Sequence, residues 1–515
     1  MKTNVSGLPN NWCDAKVSEI TTVNPTLDKA GIPDDLEISF VPMPAVQIES
    51  GIIDVSGKRR FSEVKKGYTP FREGDVLFAK ITPCMENGKM AVVPEVINGI
   101  GFGSTEFHVL RALSGVNAKY VYYYVSSQGF RREADHNMSG AVGQRRVTTP
   151  YLSSCEIPLP PTNEQHRIVA KIEELFSELD KGIENLKTAR AQLKVYRQAL
   201  LKHAFEGKLT AQWRKENQDK LETADALLKR IQQERAQRYQ QQLADWETSG
   251  KQGSKPKTPK TLPPLTAEEL AELPELPEGW GWCKLGDFIE SIDAGKSFKC
   301  DEREPRGNEI GVAKVSAVTW GEYDESESKT CTDTSKENEA YLIRSGDFIL
   351  SRANTIDLVG ACVIARKVTK KIMLSDKTLR IRFDGFSQEY FLQYLGSRIG
   401  RKQIMRLSTG NQESMRNIGQ ERIRSITVPI CSVVEADAVI ESLAARLSEV
   451  DQLELTIATS LQQSEALRQS ILKKAFSGQL VPQDPREEPA SALLARIKAE
   501  KAEHNSKSSR SKRNG

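Results

Sequence analysis

Two short motifs contain residue types that hold phosphates in other proteins. Gly295-Lys296-Ser297 imitates the end of a phosphate-binding loop, in which backbone N–H groups and a lysine hold the anion. Glu290 stands where such a loop needs its first glycine, so the motif is incomplete. Gly99, Gly101 and Gly103 alternate with other residues but lack the strand–turn–helix context of a nucleotide site. Neither motif therefore predicts nucleotide binding.

The residues that most often perform catalysis or bind metals are scattered. Eight cysteines occur singly, without a Cys-x-x-Cys pair, and five histidines give no metal-finger spacing. We therefore expect reduced cytosolic thiols and no metal site. No Cys/His or Ser/His pair has a recognisable family spacing. The Pro-Pro pairs at 160–161 and 263–264 are not the Asn/Asp-Pro-Pro-aromatic tetrapeptide of an adenine methyltransferase. The sequence predicts no catalytic residues.

Length and charge set the broad class of the protein. A chain of 515 residues predicts several domains, and a net charge of +4 permits a nucleic-acid partner without requiring one. No signal peptide or long apolar run is apparent, so we expect a soluble intracellular protein without a membrane partner.

An internal repeat organises the elements that must position any functional residue. Residues 162–209 are repeated as residues 433–480. From Glu164 and Glu435 onward the two copies align without a gap, at an offset of 271 (435 − 164). Each copy predicts a long helix with an apolar stripe at heptad spacing. Because neither helix can bury its own stripe, we expect the two helices to pack together. The predicted boundaries are capping boxes, Thr162-x-x-Gln165 and Ser432-x-x-Glu435, and stop glycines, Gly207 and Gly478.

The repeat extends through the rest of the chain. Leu-Pro-x-x-Trp at 8–12 returns at 276–280, the Gly-Asp-hydrophobic run of 74–80 returns at 346–352, and 144–147 returns at 415–418. Short β-rich runs between Gly, Pro and Asn residues predict globular parts of mixed α/β (α+β) class. The predicted fold is two such domains separated by two long, antiparallel, coiled-coil-like helices, with an internal pseudo-two-fold repeat.

Six segments follow from these boundaries. Globular domains are predicted at 1–160 and 276–428, and long helices with helical extensions at 161–247 and 429–503. A linker rich in Lys and Pro is predicted at 248–275, and a disordered basic tail at 504–515. The two globular domains match in their framework strands and differ in their loops. This pattern fits two related sites of different specificity, or the loop drift of any diverged duplication.

A tandem pair of variable α/β domains separated by long, similar helices resembles the specificity subunit of type I restriction-modification systems. The resemblance covers nearly the whole chain and rests on the Leu-Pro-x-x-Trp starts, the Gly-Asp-hydrophobic strands, the Ala-Phe-x-Gly-x-Leu helix ends and the duplication itself. The longer inter-repeat segment 210–275 departs from the family pattern.

The resemblance implies a chain that performs no catalysis. Each globular part would be a target-recognition domain that reads one half of an asymmetric, interrupted double-stranded DNA sequence. Two DNA-adenine methyltransferase subunits would dock on the helices, and restriction/translocase subunits would join through them. S-adenosylmethionine, ATP and Mg²⁺ would belong to these partners, with no cofactor in this chain. The family also implies a bacterial or archaeal cytoplasm and a role in phage defence.

The resemblance also indicates where DNA would be contacted. Arg, Lys, Asn and Gln read base edges, and phosphates require positive charge. The equivalent segments 137–147 and 407–418 supply such side chains on glycine-containing loops. The predicted DNA-binding residues are Asn137, Gln144, Arg145, Arg146, Asn411, Gln412, Arg416 and Asn417, then Lys80 and Arg352 at the ends of equivalent strands, and then Lys58, Arg59 and Arg60.

Two other interpretations of the sequence stay open. The chain could be a helical scaffold or adaptor that binds only proteins, or the specificity chain of a related methyltransferase-nuclease system. Salt-dependent binding to double-stranded DNA would separate the first alternative from the main interpretation.

Overall fold

The computed structural model of the chain describes residues 7–141 and 143–511, with side chains described through Glu503. The strands of the first repeat are β1 (Cys13–Lys16), β2 (Thr21–Val23), β3 (Glu37–Val41), β4 (Lys58–Arg60), β5 (Thr69–Phe71), β6 (Val76–Ala79), β7 (Met90–Val92), β8 (Gly101–Gly103), β9 (Phe107–Ala112) and β10 (Glu156–Leu159). Its helices are α1 (Val17–Ile20), α2 (Phe61–Val64), α3 (Ala118–Ser126), α4 (Gln128–His136), α5 (Thr149–Ser154), α6 (Thr162–Phe205), α7 (Ala211–Glu216), α8 (Ala224–Thr248) and α9 (Ala267–Ala271).

The second repeat has a closely similar order of elements. Its strands are β11 (Gly281–Lys284), β12 (Ile289–Ala294), β13 (Cys300–Asp301), β14 (Gly311–Ala313), β15 (Ser328–Cys331), β16 (Phe348–Ser351), β17 (Ala353–Asn354), β18 (Cys362–Ile364), β19 (Ile372–Met373), β20 (Thr378–Phe383), β21 (Thr409–Gln412), β22 (Met415–Asn417) and β23 (Thr427–Ile430). Its helices are α10 (Gln388–Gly396), α11 (Arg398–Leu407), α12 (Gln420–Arg424), α13 (Val433–Phe476) and α14 (Ala490–Ser511). The mixed α/β class and the two long helices, α6 and α13, are confirmed.

The elements form two compact units, and the boundary between them divides both long helices. Unit 1 is Met1–Lys187 with Ala458–Gly515, and unit 2 is Thr188–Ile457. Each unit contains one globular part and one portion of α6 and of α13. Unit 1 also contains α14, and unit 2 contains α8. The helical extension that follows each long helix in sequence therefore packs on the globular part of the other repeat.

Each globular part is built from the same set of sheets. In unit 1 the strand orders are β1-β10, β2-β9-β6-β7 and β4-β3-β8-β5. In unit 2 they are β11-β23, β12-β20-β16-β18 and β13-β15-β14-β19, with a further small sheet β17-β22-β21. The parallel pair β3–β8 of unit 1 has its counterpart in the parallel pair β14–β19 of unit 2. This shared topology provides a structural equivalence between residues of the two units.

The core of each unit contains the end of the other repeat's long helix. Phe476 of α13 packs edge-to-face on Tyr120 and Tyr124 of unit 1, with ring centroids 5.3 and 5.1 Å apart. In unit 2, Phe205 of α6 packs on Tyr390 and Tyr394 in the same way, at 5.1 Å each. Such aromatic pairs add about 0.5–1.5 kcal/mol to the free energy gained by burial. The Ala-Phe sequence is therefore repeated because each helix end fills a matching pocket.

The glycine after each helix explains the second half of that motif. Gly207 has φ +65° and Gly478 has φ +70°, the left-handed conformation that ends a helix. A Cβ at Gly207 would lie 2.6 Å from Pro277 Cγ, and one at Gly478 would overlap Pro9. Both prolines belong to the Leu-Pro-x-x-Trp starts of the repeats. The two most specific sequence motifs thus contact each other within each unit.

The long helices pack antiparallel within each unit. In unit 1, Arg468 of α13 pairs with Asp180 of α6, and its guanidinium carbon lies 4.5 Å from the Phe176 ring centre. In unit 2, Arg197 of α6 pairs with Asp451 of α13. These are the same two repeat positions with the helices exchanged. The apolar stripe is only partly covered, because Tyr196, Leu453 and Leu467 are about half exposed.

The predicted boundaries of the helices were partly right. Ser432 Oγ accepts a hydrogen bond from the Glu435 N–H at 3.2 Å, so the cap of α13 is present. The Glu435 carboxylate binds side chains of unit 2 instead of completing a capping box. For α6 the prediction was wrong, because Thr162 lies inside the helix and its hydroxyl donates to Gly115 O at 2.9 Å.

Two predicted segments surround the globular parts. Within the predicted linker 248–275 lies the short helix α9, and Lys260 pairs with Glu421 of unit 2 at 2.7 Å. The predicted basic tail 504–515 lies outside the residues whose side chains are described, although α14 is described through Ser511.

Candidate nucleic-acid interface

Lys80 and Arg352, the residues at two equivalent strand ends, anchor the predicted loops. The Lys80 N–H donates to Glu106 O at 2.9 Å, and Lys80 O accepts from the Val147 N–H at 2.8 Å. At the end of β16, the Arg352 N–H donates to Lys377 O, and Arg352 O accepts from the Ile418 N–H, both at 2.9 Å. The structure therefore brings each strand-end cation together with its predicted loop.

Both loops form a small antiparallel arrangement against the strand end. In unit 1, the backbone of Arg146 forms isolated antiparallel β-bridges with Ile81 on one side and with Ser139 on the other. In unit 2, Asn417 pairs with Ala353 and with Thr409, within the sheet β17-β22-β21. Arg145 is therefore equivalent to Arg416, and Arg146 to Asn417. Gly140 and Gly410 have φ +124° and +136°, which allows the tight approach of the two strands.

The two arginines of the unit 1 loop are held by carboxylates. Arg146 forms a fork with Glu106, with Nε–Oε2 at 3.0 Å and Nη2–Oε1 at 2.8 Å. Arg145 Nη2 donates to Asp135 at 2.7 Å, and Glu86 lies 3.7 Å away. The hydrogen bond from Arg146 lowers the pKa of Glu106, so this pair is charged at neutral pH. Positive charge in this loop is thus locally neutralised.

The unit 2 loop holds its arginine with neutral partners. Arg416 Nε donates to Ser408 Oγ at 3.3 Å, and Nη1 donates to Gly410 O at 2.5 Å. No carboxylate within the described residues lies within 4 Å of Arg416. Asn411, Gln412 and Asn417 are exposed on the same hairpin. The charge of Arg416 is therefore available to an anion.

The remaining predicted residues occupy different positions. Asn137 and Gln144 are exposed, and Asn137 ends α4 with its amide donating to Glu133 O at 2.9 Å. Val142 of this loop lies outside the described residues. Lys58, Arg59 and Arg60 form the exposed edge strand β4, which belongs to a different sheet from Lys80. Among the described side chains, no hydrogen bond or ion pair joins these three residues to the loop.

The structure adds residues that the sequence interpretation missed. Glu106 and Lys377 occupy one repeat position (offset 271) beside the two loops, and His108 supports the first loop from below. His108 Nε2 lies 2.8 Å from Val147 O, and burial lowers the pKa of His108, which favours the neutral ring. Aligning 106–112 with 377–383, at an offset of 271, would have found the Glu106/Lys377 exchange.

The described part of the chain contains no cluster of three or more His, Cys, Asp or Glu side chains that could hold a metal ion. In the same part, no helix is both long and apolar enough to cross a membrane. The site is suited to binding a ligand through hydrogen bonds, because it presents amide and guanidinium groups on hairpins that are fixed to a sheet.

Comparison with known proteins agrees with this description. Residues 9–188 match the family model described as the type I restriction modification DNA specificity domain. The chain is 31% identical over 510 residues to the type I restriction enzyme EcoEI specificity subunit of Escherichia coli, covering 88% of this chain and 82% of that protein. It is 26% identical to the EcoAI specificity subunit of Escherichia coli, covering 91% and 83%.

A solved structure supports the fold. The crystal structure of the HsdS subunit from Thermoanaerobacter tengcongensis aligns with a TM-score of 0.55 and 18% identity, over 92% of this chain and 98% of that one. At this identity the likeness concerns the fold alone.

Proposed function

The chain belongs to the type I restriction-modification specificity subunit family, and from this premise we propose that it selects the DNA sequence on which such a complex acts. The observation that carries the proposal is the repeated site: a cationic strand end with a polar hairpin attached to it, once in each unit. Amide and guanidinium groups on a fixed hairpin suit base-edge readout, and their repetition suits a target of two parts.

The target is proposed to be asymmetric. Matched positions carry different side chains in the two units: Arg146 against Asn417, and Glu106 against Lys377. Arg146 presents to the bases a fork that already holds Glu106, whereas the exposed Asn417 amide is free to select adenine. Two units with the same framework and different contact residues would therefore read two different half-sites.

The long helices are proposed to dock two DNA-adenine methyltransferase subunits, through which restriction/translocase subunits join. Val195 is 71% exposed, and Tyr196, Leu453 and Leu467 are about half exposed. Apolar side chains on helix surfaces fit the buried centre of a protein interface. In this proposal the chain performs no catalysis, and S-adenosylmethionine, ATP and Mg²⁺ are bound by the partners.

Methylation mapping tests the proposal directly. DNA from cells that express the chain with its methyltransferase should show adenine methylation at one asymmetric, interrupted sequence, detectable by single-molecule sequencing. The purified complex should bind that duplex with a steep salt dependence. The purified chain alone should transfer no methyl group from S-adenosylmethionine.

The same experiment decides between this proposal and a protein-only scaffold. A scaffold would leave the methylation pattern independent of the two hairpins and would show no salt-dependent binding to DNA. A specificity chain of a related methyltransferase-nuclease system would read DNA in the same way but would assemble with different subunits.

A further inference from the structure

Next to the polar hairpin, unit 2 has a cleft that is lined by lysines. The cleft has a volume of about 500 Å³ and lies between β14, β15 and the turn before β20. Lys314, Lys329 and Lys377 line it, together with Phe298, Ser316 and Ser375. Two carboxylates, Glu302 and Asp376, are also present at its wall. The cleft adjoins the DNA-reading site because the Lys377 carbonyl is hydrogen-bonded to Arg352.

Two of these lysines form no ion pair within the described residues, although the charge of Lys314 acts on Glu302 from a greater distance. Lys329 pairs with Glu302. Among the described residues, no carboxylate lies within 4 Å of the ammonium groups of Lys314 and Lys377. Lys314, Lys377, Arg352 and Arg416 together place four cations on one side of unit 2. None of the four has a carboxylate within 4 Å in the described structure.

The strand register identifies the equivalent residues of unit 1. Phe40 and Val312 hold the same place in their parallel strand pairs, and the residue opposite Val312 is Lys329. The Phe40 N–H donates to Gly57 O at 2.7 Å, which makes Gly57 the equivalent of Lys329. Two residues after Phe40 and Val312 come Pro42 and Lys314. With Glu106 at the position of Lys377, unit 1 has no lysine at any of the three places.

We propose that the cleft of unit 2 grips the phosphate backbone of DNA through Lys314 and Lys377, whereas unit 1, with Pro42 and Glu106 at those places, has no such grip there and carries its exposed cations on the edge strand β4 instead. This inference rests on the proposed function and adds that the two half-sites are held by unequal means. Phosphates are recognised by cations irrespective of sequence, so the cleft contributes affinity, and the hairpins contribute selectivity.

The difference should appear in the salt dependence of binding. Each phosphate contact contributes about 0.9 to the slope of log affinity against log salt concentration. Between 50 and 200 mM salt, one contact therefore changes affinity by about 3.5-fold. Lys377→Gln and Lys314→Gln should each lower the slope by about 0.9. Glu106→Gln should instead raise the slope, because it leaves Arg146 without its carboxylate.

The test uses the full chain in complex with its methyltransferase and a duplex that carries the mapped target. Affinity is measured by fluorescence anisotropy at several salt concentrations for the wild type, Lys377→Gln, Lys314→Gln, Glu106→Gln and Arg146→Gln. Lys377→Arg keeps the charge and should keep the wild-type slope. Lys336→Gln is the matched control, because Lys336 lies outside the cleft and pairs with Asp333 at 3.9 Å. Melting temperatures establish that each variant is folded.

The outcomes separate this inference from the proposed function. If the wild-type complex shows no salt-dependent DNA binding, the proposed function itself fails. If the wild type binds with a steep slope while Lys377→Gln and Lys314→Gln behave like Lys336→Gln, the phosphate grip is overturned and the function stands. Equal loss of slope from Lys377→Gln and from Arg146→Gln in unit 1 would also overturn the asymmetry.

Discussion

Two buried glutamates at one repeat position should respond in opposite directions when their charge is removed. In unit 2, Glu435 is 1% exposed and accepts from Arg214 Nε and Thr210 Oγ1 at 2.8 Å, and from Trp280 Nε1 at 3.0 Å. In unit 1, Glu164 is also 1% exposed. The nearest arginine there, Arg167, forms its ion pair with Glu487 at 2.5 Å.

These surroundings set the size of each effect. Glu435→Gln removes the charge that faces the partly buried Arg214, and breaking a buried pair costs about 3–5 kcal/mol. Because the Arg214 side chain is 16% exposed, we expect a destabilisation at the lower end of this range, about 3 kcal/mol. For a unit of this size, that loss lowers the melting temperature by about 6–12 °C. Glu164→Gln should change stability by less than about 1 kcal/mol, and in the stabilising direction, because it removes a poorly compensated buried charge.

The pH dependence gives a second test of Glu164. Burial raises its pKa, against the opposing effects of a hydrogen bond from Trp12 and the charge of Arg167. A carboxyl group whose pKa is raised on folding contributes most stability when protonated, and it loses that contribution as pH rises through the folded-state pKa. The advantage of Glu164→Gln over the wild type should therefore be largest at pH 7.5 and shrink as pH falls toward 4.5, the ordinary pKa of the group.

Calorimetry of the full-length chain at pH 7.5 and 5.0 measures both effects. Hydrogen exchange followed by mass spectrometry locates them, since Glu435→Gln should reduce protection at the start of α13 and around Trp280. Equal destabilisation by both substitutions would refute the reasoning, as would a Glu435→Gln variant with wild-type stability and protection.

Three further predictions use other parts of the structure. In thermal unfolding, Gly478→Ala should destabilise unit 1 by about 1–3 kcal/mol, because φ is +70° and the new methyl group would meet Pro9. In the same assay Gly182→Ala, which lies in open space within α6, should stabilise the protein by up to about 1 kcal/mol. The double variant Arg145→Ala/Arg146→Ala should weaken recognition of one half-site, and Arg416→Ala should weaken recognition of the other, by about 1–3 kcal/mol for each base that the variant no longer reads. The measurement is methylation of duplexes that are altered in one half at a time. Wild-type methylation rates for all variants would show that the loops do not belong to the interface. A fragment ending at Gly250 should form a symmetric dimer in which Phe205 takes the place of Phe476 against Tyr120 and Tyr124, and with the methyltransferase it should modify a palindromic, interrupted site; sedimentation as a monomer would contradict this.

Much of the fold was predictable because the duplication doubles every signal. The heptad stripes, the stop glycines and the Gly-Asp strands each occur twice, so a pattern that is weak once becomes a constraint when it recurs at a constant offset. The exchange of helix ends was not predictable in this way. Phe205 and Phe476 fit either pair of tyrosines equally well in sequence, and only the chain path decides which pair each contacts.

The site was predictable as a region and less so as a set of charges. The equivalence of 144–147 with 415–418 follows from the alignment, and the structure joins both segments to their strand ends. Arg145 and Arg146 were predicted to contact DNA because of their residue type alone. The partners that neutralise them, Asp135 and Glu106, lie ten and forty residues away along the chain. Ion pairing depends on the folded path, so the charge available to a ligand could not be read from the loop alone.

The exchange of helix ends also governs the order in which a ribosome could complete the two units. Everything in Thr188–Ile457 is synthesised before residue 458, so unit 2 can close its core while translation continues. Unit 1 begins before unit 2 in the chain, yet it waits for Phe476, Gly478 and α14, which follow unit 2. Of the two units, the one that emerges first is therefore the last to become complete, and its tyrosine pocket stays exposed throughout the synthesis of unit 2. A premature stop after Ile457 would leave unit 2 whole and unit 1 permanently open, a ready substrate for proteolysis.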